Sequence, residues 1–218
     1  MIVKNESHVI RRCLESVKPL IDSWAIMDTG STDGTQGIIR ECMASIPGVL
    51  GECEWHGFAD ARNKALELAN TFHSHFLLIL DADETVSGNL SNVPDDLLCG
   101  NVLLYGKTDV GRPRTSILRN GLNWKYVGRV HELPLLNGKM PSGQNVEGLT
   151  IHTDSTGSRH KDPQWLMNDI RLLADDMLEH PEDRRNCYLM GVMLQSAGLS
   201  HMAGKFVDAG QEYERAIA

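Results

Sequence analysis

Phe76-Leu77-Leu78-Ile79-Leu80-Asp81-Ala82-Asp83-Glu84 is the stretch on which the fold turns. The apolar run Phe76 to Leu80 reads as a buried strand ending abruptly in the acidic residues. Carboxylates placed directly after it are costly to desolvate unless a cation or hydrogen-bond donors meet them. In open α/β sheets the carboxyl ends of strands are also where ligands bind. Asp81 and Asp83 lie two residues apart, so both face one ligand if strand geometry continues. Oxygen ligands of this kind suit Mg²⁺ or Mn²⁺, which would bridge to phosphate oxygens. A polar turn that merely closes the strand is the plain alternative.

Upstream, Ile2-Val3 reads as a short strand. A helix with Ile10, Cys13, Leu14 and Val17 on one stripe follows, with Ser7 as candidate N-cap. Trp24-Ala25-Ile26-Met27 is a second strand, running into Asp28-Thr29-Gly30-Ser31-Thr32-Asp33-Gly34. Thr35 is placed to cap a helix carrying Ile38, Ile39, Cys42, Met43 and Ile46, stopped by Pro47-Gly48. Residues 49–53 form a weaker strand, and Phe58, Ala61, Ala65, Leu68 and Phe72 mark another helix. Strands alternating with helices make this half α/β. Beyond it, 102–105, 115–118, 130–136 and 149–151 read as strands. Three helices then follow: Leu166, Ile170, Leu173 and Met177, ending near Pro181; Cys187, Met190, Leu194 and Ala197; and Phe206, Tyr213 and Ile217. Ala218 carries no helix-stop signal, as expected of a truncated chain.

The 218 residues are 41% hydrophobic and 23% charged, a composition able to bury a core and unlike that of disordered chains. A net charge of −8 argues against a nucleic-acid partner. No apolar run approaches the roughly 18 residues of a membrane span, and no leader pattern opens the sequence. The five cysteines are scattered without a CxxC pair, which favours a reducing compartment over a zinc site or disulfide framework. The expected setting is the cytoplasm.

Asp28 repeats the theme of the opening stretch, since it too ends an apolar strand. The Gly/Ser/Thr loop behind it lets a backbone approach a nucleoside or phosphate, or simply caps the next helix.

Four stretches now stand in order: Met1-Ile2-Val3-Lys4-Asn5-Glu6, Met27 to Thr35, Phe58-Ala59-Asp60-Ala61-Arg62-Asn63, and Leu80-Asp81-Ala82-Asp83-Glu84. This series resembles family 2 glycosyltransferases over roughly residues 1–155. The resemblance implies a GT-A fold and metal-dependent, inverting transfer of a sugar from a UDP- or GDP-sugar donor. The acceptor would be a hydroxyl of a glycan, protein or small molecule, and the cofactor Mn²⁺ or Mg²⁺. It makes Val3, Asn5 and Glu6 the pocket entrance, Asp28 a contact to the donor's base or ribose, and Arg62 a neighbour of the base or diphosphate. Asp81 would hold the ribose or a metal-bound water. Asp83, the second aspartate of a DXD motif, would be the direct metal ligand.

Inverting transfer needs a general base for the acceptor hydroxyl. Gly128-Arg129-Val130-His131-Glu132 is similar to a segment in part of that family, and Glu132 is the candidate base. A strand-edge carboxylate paired with Arg119 or Arg129 is the competing reading, with Asp109 and Asp154 as the next candidate bases. His131 would orient the acceptor or touch the diphosphate. Trp124 would stack on a sugar or sit in the core, and His152 resembles a position that supplies a further metal ligand. The helices after Pro163 resemble part of a tetratricopeptide unit through Met190-Gly191, Leu194, Gly198 and Tyr213-x-x-Ala216. The expected organisation is therefore a GT-A domain at 1–155 and a helical appendage at 156–218. Two rivals remain. A sugar nucleotidyltransferase would open on a Gly-rich, Arg/Lys-bearing loop, which Lys4-Asn5-Glu6 lacks. A catalytically silent scaffold would bind a protein through the helical tail.

Overall fold

A computed structural model describes residues 1–106, 110–181, 183–199 and 202. It divides into two compact units: Met1–Val127 with Leu133–His160, and Gly128–Glu132 with the chain from Lys161 onward. The expected boundary at 155/156 thus shifts to His160, and the segment ending in Glu132 joins the helical unit.

The first unit opens with β1 (Ile2–Val3), α1 (Ile10–Val17), β2 (Trp24–Asp28), α2 (Thr35–Cys42), β3 (Gly48–Glu52) and α3 (Phe58–Ala69). The three strands form a parallel sheet in the order β1-β2-β3. Ile10, Cys13, Leu14 and Val17 are all buried, as their spacing on one helical stripe predicts. The caps differ from expectation. α1 starts after Val9 with no side-chain cap, and the Ser7 amide instead donates to Asp33 (3.0 Å). Thr35 is the first residue of α2, its hydroxyl donating to Asp33 (2.6 Å) and accepting from the Glu6 amide (2.8 Å). One aspartate therefore fastens both turns together.

The second sheet has the order β4-β7-β6-β10-β5, built from β4 (Phe76–Leu78), β5 (Glu84–Gly88), β6 (Cys99–Tyr105), β7 (Arg112–Arg119) and β10 (Gln144–Thr153). β8 (Trp124–Val127) and β9 (Leu133–Leu136) pair as a separate two-stranded sheet. Leu149 and Ile151 on β10 face inward while His152 faces out, the alternation of a half-buried strand. β5 is not among the strands expected from the sequence; pairing with β10 makes it one. The expected strand at 130–136 begins only at Leu133, because Gly128 (φ 96°) and His131 (φ 51°) hold left-handed backbone that a strand excludes.

Gly88 ends β5 at φ +101°, where an added Cβ would lie 1.9 Å from the Gly148 carbonyl oxygen. Gly88→Ala is expected to destabilise the protein by at least about 1 kcal/mol from backbone strain, with the collision adding to it. A lowered denaturant midpoint checks this.

The second unit holds α4 (Trp165–Glu179) and α5 (Arg184–Ser196). Val130 is fully buried among Leu173, Met190, Met193 and Leu194, which explains why its segment belongs with the helices. The expected third helix at 206–217, with its Tyr213 and Ala216, lies outside the described residues. Among the described residues, no helix is long and apolar enough to cross a membrane.

Candidate active site

The acidic strand ends gather in the first unit. Asp28, at the end of β2, is fully buried. Its Oδ1 accepts from the amides of Gly30 (2.8 Å) and Ser31 (2.7 Å), the turn that small residues permit. Its Oδ2 is buried without a hydrogen-bond partner. An unsatisfied buried oxygen costs about 1–3 kcal/mol, an expense a bound N–H or O–H donor would remove.

Asn5 lies beside this turn at φ +57°, a conformation that asparagine tolerates better than most residues. Its amide donates to Ser31 Oγ (2.8 Å) and its side chain accepts from the Thr32 amide (2.8 Å). Both Glu6 carboxylate oxygens accept from the Ser158 amide at 3.1 Å, and Ser158 Oγ donates to the Asn5 carbonyl. Val3 is placed differently from the entrance expected of it. It is 3% exposed and packs with Ile26 and Ala82, offering its carbonyl to Thr29 (3.0 Å). An apolar residue two positions from a polar motif serves the core.

Asp81 and Asp83 have unlike surroundings. Asp81 Oδ1 accepts from Arg62 (2.8 Å), Oδ2 lies 3.9 Å from Arg114, and its amide donates to Glu84 Oε2 (2.9 Å). Burial works against the Asp81 charge, but Arg62 and then Arg114 outweigh it and hold the carboxyl down at about 2. Glu84, at 2% exposure, is gripped by two Arg114 nitrogens at 2.5 and 2.8 Å. Burial pushes Glu84 upward, and the Arg114 fork opposes that push. Two carboxylates and two guanidiniums thus cancel. Asp83 stands outside this compensation. Its Oδ2 accepts, among the described residues, from the Gly157 amide (3.1 Å), while Arg12 reaches the Asp83 backbone carbonyl (3.0 Å) and the Asp154 carboxylate (2.7 Å). Among the described residues, Asp83 is the carboxylate of this turn that forms no ion pair with a guanidinium.

The other expected residues are placed as follows. Trp124 is 8% exposed in a cluster with Leu66, Leu77, Cys99 and Leu118, its Nε1 donating to the Arg119 carbonyl (2.9 Å). Its indole is core rather than a sugar platform. His152 is exposed on β10, stacked on Tyr105 with centroids 5.6 Å apart, its Nε2 3.2 Å from Ser87 Oγ. Among the described residues no three His, Cys, Asp or Glu side chains are grouped to hold a metal. A hard ion here must take most of its oxygens from a ligand, as Mg²⁺ does when one or two carboxylates and substrate phosphates complete its shell. Asp83 fits that pattern.

Glu132 and His131 lie in the second unit, where Arg185 donates to the His131 carbonyl (2.8 Å). The arginines expected as partners for Glu132 bond to other groups: Arg119 to the Leu97 and Asp95 carbonyls, Arg129 to Glu179. Asp109 lies outside the described residues. Sequence reasoning missed Arg114, Glu84 as its partner, and the Gly157-Ser158 turn. No local pattern distinguishes Arg114 from Arg112 or Arg119.

The sequence matches the family model "Glycosyl transferase family 2" over residues 1–126. It is 28% identical over 206 residues to the SPbeta prophage-derived glycosyltransferase SunS of Bacillus subtilis, covering 88% of this chain and 47% of that one. Over 85 residues it is 40% identical to a TPR repeat-containing protein of Synechococcus elongatus, covering 38% of this chain and 19% of the relative. The chain therefore spans less than half the length of these two relatives. Its fold is similar to the crystal structure of S. aureus TarS, with a TM-score of 0.50 at 14% identity, covering 87% of this chain and 41% of that one.

Proposed function

Because the chain belongs to glycosyl transferase family 2 and has the GT-A fold, we propose that it moves a sugar from a nucleoside-diphosphate sugar to an acceptor hydroxyl with inversion, using Mn²⁺ or Mg²⁺. The observation that carries this reading is the difference between the two aspartates. Asp81 and Glu84 are paired with Arg62 and Arg114, whereas the Asp83 carboxylate, among the described residues, meets the backbone amide of Gly157. Bound at Asp83, a divalent cation supplies charge stabilisation for the departing diphosphate.

The chain's own groups divide the remaining work. Asp28 Oδ2 accepts a hydrogen bond from the base or ribose of the donor, which satisfies its buried lone pairs. Asn5 and Glu6 border that position through the same turn. Glu132 takes the acceptor proton onto its carboxylate. UDP and GDP are the donor nucleotides to test.

Calorimetric titration of each with Mn²⁺, and again with a chelator, is the deciding experiment. Binding of one nucleotide should strengthen at least tenfold with the metal, a coupling of about 1.4 kcal/mol. Equal affinity in chelator would remove the metal from the reading.

A further inference from the structure

Four side chains behind the acidic turn form one relay, and its far end, the Arg114–Glu84 pair, is assigned no step of the proposed chemistry. Arg114 projects from β7 and Glu84 from the start of β5, 30 residues apart in sequence. Their bidentate contact leaves Glu84 Oε2 to accept from the Asp81 amide, and the Asp81 carboxylate in turn fixes Arg62 on α3. Arg62 is only 15% exposed and lies 5.6 Å from the Tyr126 ring centroid.

A buried ion pair is weak evidence for stability. Its desolvation offsets its attraction, and an apolar pair of similar size often does as well or better. Fold stability therefore does not explain why Arg114 and Glu84 are charged. Geometry does: the planar guanidinium fork sets the Glu84 carboxylate in one orientation, as a point charge would not. That orientation sets the direction of the Asp81 amide.

We propose that Arg114 and Glu84 are a positioning pair, which orients Asp81 and through it Arg62 for the donor without touching the donor. This deepens the glycosyl-transfer reading and rests on it for the identity of the ligand. Loss of Arg114 alone leaves the buried Glu84 carboxylate without its fork, so a single variant confuses folding with positioning. Replacing both separates the two.

The experiment compares Arg114→Lys, Arg114→Met and the double variant Glu84→Leu/Arg114→Met. Thermal melting, amide exchange at Asp81 and the guanidinium NMR signals of Arg62 are measured without ligand, then UDP and GDP affinity with Mn²⁺. The double variant should melt within about 4 °C of the parent, a change on the order of 1 kcal/mol for a chain this size. It should nevertheless lose protection at the Asp81 amide, shift the Arg62 signals and bind nucleotide at least tenfold more weakly. Arg114→Lys, which keeps the charge and loses the fork, should fall between. Unchanged Asp81 exchange and Arg62 signals in the double variant would overturn the pair's role whatever nucleotide does. A parent that binds neither nucleotide, while the Asp81 and Arg62 signals still respond, overturns the donor reading and leaves the positioning intact.

Discussion

Asp83→Ala is expected to abolish the Mn²⁺-dependent part of nucleotide binding while the protein stays folded. The carboxylate is half-buried and, among the described residues, its hydrogen-bond partner is the Gly157 amide at 3.1 Å. Losing that bond costs about 0.5–1.5 kcal/mol, too little to unfold an ordinary domain. Neighbouring carboxylates cannot substitute for it. Asp81 and Glu84 already face guanidiniums, and recruiting either to an ion would leave an arginine without its counter-charge. The affinity loss should therefore exceed the roughly 10–100-fold that follows when only an outer partner of a metal ligand is removed. Calorimetry with and without Mn²⁺ reads the difference directly, and circular dichroism confirms the fold. A variant that still gains affinity from Mn²⁺ would place the ion elsewhere. One that unfolds would make Asp83 a structural residue.

The parts of this site legible in the sequence are those whose signal is local. Asp28, Asp81 and Asp83 each follow an apolar run in the sequence, and a carboxylate placed there is conspicuous because it is expensive to desolvate. Arg62 became visible only through the ordered motif series, since an arginine on a helix has no periodicity of its own. Arg114 was invisible for the same reason doubled: its partner stands 30 residues away, and the strand that carries it holds two further arginines. Val3 and Trp124 were drawn toward the site by neighbouring motifs, yet both are core, and a sequence gives an apolar residue the same spelling in either place. The strand at Glu84–Gly88 is hidden because four of its five residues are polar or glycine and its pairing partner, β10, comes some sixty residues later. The hydrophobic stripes of α1, α4 and α5 needed no such distant partner, and all three helices form where the spacing puts them.

Glu132→Gln is expected to separate binding from transfer. A general base acts in the transition state, whereas the donor binds before it, so a change confined to proton acceptance should spare the first and damage the second. Glutamine keeps the volume and much of the hydrogen-bonding capacity of glutamate but cannot take the proton. Its backbone setting should also persist. Val130, two residues earlier, is fully buried, and Arg185 holds the His131 carbonyl at 2.8 Å, and neither contact involves the Glu132 carboxylate. Transfer should fall by roughly 10²-fold or more, the range seen when a general base is removed, with near-parental nucleotide affinity. Asp154, the described alternative, is a poorer base. Its hydrogen bonds to Arg12, reinforced by Thr156, hold its carboxyl well below the usual range, so it gives up its negative charge reluctantly. Asp154→Asn should therefore cost far less turnover than Glu132→Gln in the same assay. The reverse ranking would move the base to Asp154, and a Glu132→Gln protein that loses nucleotide binding as well would assign Glu132 to the donor site.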